Sequence, residues 1–136
     1  GMQNTTVFGK QDLMAAAEPN VKYVGYISDE QLKALYQHAA CFLYPSIYEG
    51  FGIPPLEAMR YGCPVVVGKS AALPEVCADA ALYCDPYSQD DIARKLRSLL
   101  DSDALRAELK RKGSLHAEKY RWSRSAEMMK AIFEGL

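Results

Sequence analysis

Between Tyr44 and Met59 the chain reads Tyr-Pro-Ser-Ile-Tyr-Glu-Gly-Phe-Gly-Ile-Pro-Pro-Leu-Glu-Ala-Met, which sets two carboxylates, Glu49 and Glu57, on either side of a Gly-Phe-Gly turn. An apolar run leads into this stretch, and the pair Pro54-Pro55 suits the opening of a helix, where the N–H that proline lacks is not needed. At the carboxyl end of a parallel strand, such a loop presents unpaired backbone N–H groups and the positive end of a helix dipole, which together favour a phosphate. Gly50 and Gly52 let the main chain approach closely, so the N–H groups of Gly50, Phe51, Gly52 and Ile53 are the candidate anion donors. Phe51 is expected to pack inward or to shield the site. Carboxylates repel phosphate but accept hydrogen bonds from vicinal hydroxyls, so Glu49 and Glu57 call for hydroxylated rings on both sides of a diphosphate. A nucleoside diphosphate sugar has that layout. Each carboxylate also has a plainer reading: Glu49 as a solvated loop residue, and Glu57 as a helix N-terminal charge worth a few tenths to about 1 kcal/mol against the dipole.

The elements that must position these residues follow from periodicity. Short β-rich runs alternate with helical patterns as far as Asp85, the signature of an α/β fold with a parallel sheet flanked by helices. Strands are expected near Thr6–Gly9, Val21–Gly25, Ala40–Tyr44, Pro64–Val67 and Ala81–Cys84. Ser28 and Gln31 form a capping box for a helix through Leu32, Leu35, Tyr36 and Ala39. The proline-opened helix should run about two turns and stop at Gly62 in a left-handed conformation. Beyond Asp85-Pro86, Ser88 and Asp91 begin a helix with Ile92, Leu96, Leu99 and Leu100 inward. A second starts near Asp103, and Ser123 is the expected cap of a third. No repeat, linker or low-complexity tract divides residues 1–136, which read as one domain with a helical C-terminal tail. Gly1-Met2 reads as an appended remnant, and the chain as a piece of something longer.

Composition removes several function classes. Of 136 residues, 49% are hydrophobic and 24% charged, enough apolar material for a packed core. Sixteen basic residues against 17 acidic ones leave a formal charge of -1, which provides no electrostatic footprint for nucleic acid or an anionic membrane. No apolar run approaches the roughly 20 residues of a transmembrane segment, and no signal peptide is visible, so a cytoplasmic setting is expected. Cys41, Cys63, Cys77 and Cys84 lack any Cys-x-x-Cys pairing and read as small structural residues. His38 and His116, the two histidines, show no metal-ligand spacing and read as surface or structural groups.

The glutamate, seven residues, glutamate segment resembles the motif of retaining family 4 glycosyltransferases of the GT-B fold (glycosyl transferases group 1). Val24-Gly-Tyr-Ile-Ser-Asp-Glu-Gln-Leu32, Tyr44-Pro-Ser46, Gly62-Cys-Pro-Val65, Leu73-Pro-Glu75 and the late Tyr120-Arg-Trp-Ser123 follow that family's order and spacing. The resemblance implies a Rossmann-like, donor-binding C-terminal domain, present here in part. It gives Glu49 the donor-sugar hydroxyls as the catalytic position and Glu57 the ribose hydroxyls. Gly50 to Ile53 would lie against the sugar and distal phosphate, and Tyr26 and Ile27 beside the nucleobase. It further implies transfer of a hexosyl group, mannosyl by best guess and from a guanosine diphosphate sugar, with retention of configuration. The acceptor would be a glycan or lipid in polysaccharide biosynthesis, and no metal or other cofactor would be required. The implied partner is an N-terminal acceptor-binding domain missing from this sequence, with the whole protein cytoplasmic or peripheral at the inner face of the membrane. The upstream Arg and Lys that grip the diphosphate are also missing, with Lys10 and Lys69 as possible substitutes, so this piece alone is expected to be inactive.

Other readings stay open at this level. A GT-B nucleotide-sugar epimerase, a non-catalytic nucleotide-binding module, or a structural domain docking through its last helices would share the architecture. A glycoside hydrolase is disfavoured because its paired carboxylates flank one scissile bond and need no phosphate cradle.

Overall fold

The computed structural model describes residues 20–135. Three strands, β1 (Phe42–Tyr44), β2 (Val65–Gly68) and β3 (Leu82–Cys84), form one parallel sheet in the order β1-β2-β3. Phe42 pairs with Val65, and Val66 with Leu82. Helix α1 (Asp29–His38) precedes β1, α2 (Ile53–Arg60) joins β1 to β2, and the short α3 (Leu73–Cys77) and a 3₁₀ turn join β2 to β3. Helices α4 (Gln89–Leu100), α5 (Asp103–Ala117) and α6 (Trp122–Glu134) complete the described chain. The class is the expected α/β, with the expected helical tail. No helix among the described residues is long and apolar enough to cross a membrane.

Alternation along β2 builds two layers from one strand, because successive side chains leave opposite faces of a sheet. Val65 and Val67 pack with Tyr36, Met59, Leu73 and Val76, whereas Val66 packs with Cys84, Leu99 and Leu109. All four residues of β2 are buried, as befits a strand covered on both faces.

Local signals account for most of the helix boundaries. Ser28 Oγ accepts from the Gln31 N–H at 3.3 Å and Gln31 Oε1 accepts from the Ser28 N–H at 2.9 Å, completing the capping box of α1. Pro54 and Pro55 follow Ile53 in the first turn of α2, and Gly62, at φ +75°, terminates it. Ser88 and Ser102 accept from the N–H groups of Asp91 and Leu105 at 3.2 and 3.1 Å, capping α4 and α5. Helix α5 closes on α2 at Gly113, where a Cβ would sit 3.1 Å from Met59 Cγ. That close approach fixes the axis of α2, and with it Glu57.

Four expectations are corrected, and one cannot be placed. Val21–Gly25 is irregular rather than a strand: its residues are exposed and no strand among the described residues supplies it with a hydrogen-bond ladder, which β propensity alone cannot replace. The expected strand at Thr6–Gly9 lies outside the described residues. Leu100 points outward at the end of α4 while Leu99 is fully buried. Leu35 is half exposed, leaving Tyr36 as the buried residue of α1. Ser123 caps nothing, because it already lies in the first turn of α6, which starts at Trp122 behind an extended Arg121.

Candidate functional site

The loop from Pro45 to Gly52 leaves the carboxyl end of β1 and is pinned against the chain that follows β2. Ser70 Oγ donates to the Ser46 carbonyl at 2.6 Å, and a Cβ on Gly68 would approach the same carbonyl oxygen to 2.5 Å. Only glycine therefore lets β2 and the loop pass this closely. At the other end of the loop Gly52 is buried at φ +100° and ψ 49°, where a Cβ would lie 2.6 Å from Leu73 Cδ2. Backbone conformation and the Leu73 side chain thus both exclude a larger residue at Gly52.

Glu49 is held within this loop. The Tyr44 hydroxyl, at the last residue of β1, donates to Glu49 Oε1, and Ser46 Oγ reaches the same oxygen at 3.0 Å. The hydrogen bond to Glu49 is the first cause that pushes the Tyr44 phenol up to about 12, with burial next. The solvated-loop reading of Glu49 does not describe this geometry. The sequence marks Tyr44 and Ser46 only as part of the Tyr-Pro-Ser segment and assigns them no role, because no local pattern couples position 44 to position 49.

Glu57 lies in the second turn of α2, past the first turn where a carboxylate complements the helix dipole. Its carboxylate is exposed and has no hydrogen-bond or ion-pair partner among the described residues. It borders an open cavity of about 430 Å³ with Phe51, Arg60, Tyr120, Trp122 and Ser125. Arg60, unremarked in the sequence, brings a cation to that cavity one helical turn after Glu57, a spacing that puts both on one face. On the inner side of α2, burial raises the Tyr36 hydroxyl first and the Glu57 charge raises it further.

Since Pro54 and Pro55 carry no N–H, the first turn of α2 contributes few donors, and the candidates are the N–H groups of Gly50, Phe51 and Gly52 in the loop and of Ile53, the first residue of α2. Their N–H groups donate to no acceptor among the described residues outside helices and strands. Phe51 does not pack inward: it is about half exposed, lines the Glu57 cavity and meets Tyr120 edge-on, with ring centroids 5.8 Å apart.

Two further groups fall apart from this cluster. Tyr26 is fully exposed, and Ile27 lines a separate apolar groove of about 700 Å³ beside β1, with Val24, Leu32 and Phe42. None of Glu49 to Ile53 borders that groove. Lys69 is exposed just after β2, next to the Ser70 that pins the loop, while Lys10 lies outside the described residues. His116 is buried with Nε2 2.7 Å from the Val76 carbonyl, a structural role as expected. Cys63, Cys77 and Cys84 are buried free thiols, and burial raises all three.

Comparison with known proteins adds to this geometry. The family model described as glycosyl transferases group 1 matches residues 5–116. O-antigen chain mannosyltransferase B of Escherichia coli is 43% identical over 102 residues, covering 75% of this chain and 27% of that protein. MMP alpha-(1->4)-mannosyltransferase of Mycolicibacterium hassiacum is 37% identical over 112 residues, covering 79% of this chain and 27% of that protein. Sucrose-phosphate synthase of Thermosynechococcus elongatus superposes with a TM-score of 0.76 at 26% identity, covering 84% of this chain and 29% of the other. The chain spans well under a third of each of these proteins.

Proposed function

The chain belongs to the glycosyl transferases group 1 family and has the fold of part of a GT-B glycosyltransferase domain, and from that premise we propose that it is the donor-binding portion of a hexosyltransferase. The donor is a nucleoside diphosphate sugar, with a mannosyl group transferred from a guanosine diphosphate, and the acceptor is a glycan or lipid held by a second domain of the longer protein. The mannosyltransferase names of the similar proteins support the choice of sugar. In this reading configuration is retained and no resident cofactor takes part. The whole protein works in the cytoplasm, peripherally at the inner face of the membrane where a lipid acceptor would be presented.

One observation carries the proposal: a loop pinned at Ser46 and Gly52 fixes Glu49 by hydrogen bonds at one end, while Glu57 borders an open cavity, without a partner among the described residues, at the other. Glu49 holds donor-sugar hydroxyls and acts as the catalytic carboxylate. Glu57 accepts from the ribose hydroxyls. Between them the N–H groups of Gly50 to Ile53 meet the distal phosphate, and as the anomeric C–O bond breaks they stabilise the negative charge left on the diphosphate. Preorganised donors of this kind need no rearrangement at the moment of reaction.

Product analysis of the full-length protein with GDP-mannose and a glycan or lipid acceptor tests this reading. A glycosylated acceptor with the donor's anomeric configuration is expected. An altered nucleotide sugar with no transfer would establish an epimerase instead, and binding without turnover a non-catalytic module.

A further inference from the structure

The fold places two hydroxyl groups around one oxygen of Glu49 that the proposed chemistry does not by itself explain. Tyr44 is the last residue of β1, its backbone in register with Val67 of the fully buried β2. Its ring stacks on Phe42 at 5.8 Å, and Phe42 meets the buried Tyr36 edge-on at 5.3 Å. A continuous aromatic row therefore runs from the core to the Tyr44 hydroxyl, which donates to Glu49 Oε1. Ser46 Oγ approaches the same oxygen at 3.0 Å, and its backbone is anchored by Ser70. No described residue donates to Oε2.

From this arrangement we infer that Tyr44 and Ser46 are positioning residues: they saturate Oε1 of Glu49 and fix the carboxylate so that Oε2 alone faces the donor sugar. The inference rests on the proposed transferase reading and deepens it at the same site. The two donors are unequal. The single proton of Ser46 is shared between Glu49 Oε1 and the Tyr48 carbonyl, 3.2 Å away, whereas the Tyr44 hydroxyl donates to Glu49 alone among the described residues. Tyr44 is thus the principal clamp, and Ser46 the secondary one. A carboxylate free to rotate would still bind the sugar in part of its orientations, so the loss should fall on turnover more than on donor affinity.

The test uses the full-length protein with GDP-mannose as donor and the variants Tyr44→Phe, Ser46→Ala, Ser46→Thr and Glu49→Ala. Tyr44→Phe keeps the ring and its stacking and removes only the hydroxyl. It is expected to lower kcat roughly 10- to 100-fold, with donor KM changed less than about 3-fold, since a hydrogen bond to a charged group is lost. Ser46→Ala should have a smaller effect in the same direction, and Ser46→Thr should restore most of it. In a Glu49→Ala background Tyr44→Phe should change nothing further, as expected for a residue acting through Glu49. Wild-type kcat in Tyr44→Phe, alongside a low kcat in Glu49→Ala, would overturn the positioning role and leave the transferase reading intact. Absence of transfer by the wild-type protein, or wild-type turnover in Glu49→Ala, would overturn the reading underneath.

Discussion

Replacing Gly52 by alanine is the substitution for which the loop geometry makes the largest commitment. The backbone there is at φ +100°, where a residue with a Cβ is strained by about 1 to 3 kcal/mol. The added methyl would also lie 2.6 Å from Leu73 Cδ2. Leu73 is fully buried between the loop and the sheet, so its side chain has little room to retreat, and overpacking of this kind costs about 1 to 3 kcal/mol. The sum is about 2 to 6 kcal/mol, which at about 3 to 4 °C per kcal/mol for a domain of this size lowers Tm by roughly 6 to 24 °C. Gly50→Ala is the internal control: that glycine is exposed, and a Cβ there meets nothing within 4 Å. Thermal unfolding followed by circular dichroism should show Gly52→Ala strongly destabilised and Gly50→Ala near wild type. Equal melting temperatures for the two variants would refute the positive-φ anchor, and with it the account of how the loop is fixed.

Other expectations follow from the same structure. Cys63, Cys77 and Cys84 should resist a thiol reagent in the folded state, with Cys63 and Cys77 pushed up to about 11 by burial, so that the half-buried Cys41 reacts first; mass spectrometry finding early labelling at Cys77 would contradict this. The Tyr44 phenol is raised from 10.0 to about 12, so its protonated form favours the folded state. The stability it adds is full below pH 10 and is lost as pH rises toward 12. The difference in urea midpoint between wild type and Tyr44→Phe should therefore shrink across that window, and a constant difference would show that the hydroxyl is not hydrogen-bonded. His116→Ala leaves the Val76 carbonyl without its partner in a buried place and should cost roughly 1 to 3 kcal/mol, measured by urea unfolding. An unchanged midpoint would remove the structural role of His116.

Features set by neighbours in sequence were legible before the fold was known. The Ser28–Gln31 box, the proline-opened α2 and its stop at Gly62 depend on contacts within a few residues, and they occur where the sequence puts them. So does the parallel alternation, because β2 declares itself as an unbroken run of valines. What was missed depends on contacts made through space. Tyr44 reaches Glu49 only because a strand end and a loop turn back on each other, and Phe51 finds Tyr120 from a segment far along the chain. Val21–Gly25 has the composition of a strand, but pairing requires a neighbour that composition cannot supply. At the candidate site, the carboxylates and glycines were visible in the motif. The clamp on Glu49 and the cavity that Arg60 shares with Glu57 emerge from placement.

The central claim is that the segment from Glu49 to Glu57 binds a nucleoside diphosphate sugar. Calorimetric titration of the full-length protein with GDP, UDP, ADP and their sugar conjugates, with Glu57→Ala alongside, tests it most directly. Selective binding of one base is predicted, weakened in Glu57→Ala by roughly 1.5 to 3 kcal/mol through loss of hydrogen bonds to a charged acceptor. Binding of equal strength in the variant, or no binding of any nucleotide sugar by the full-length protein, would contradict it.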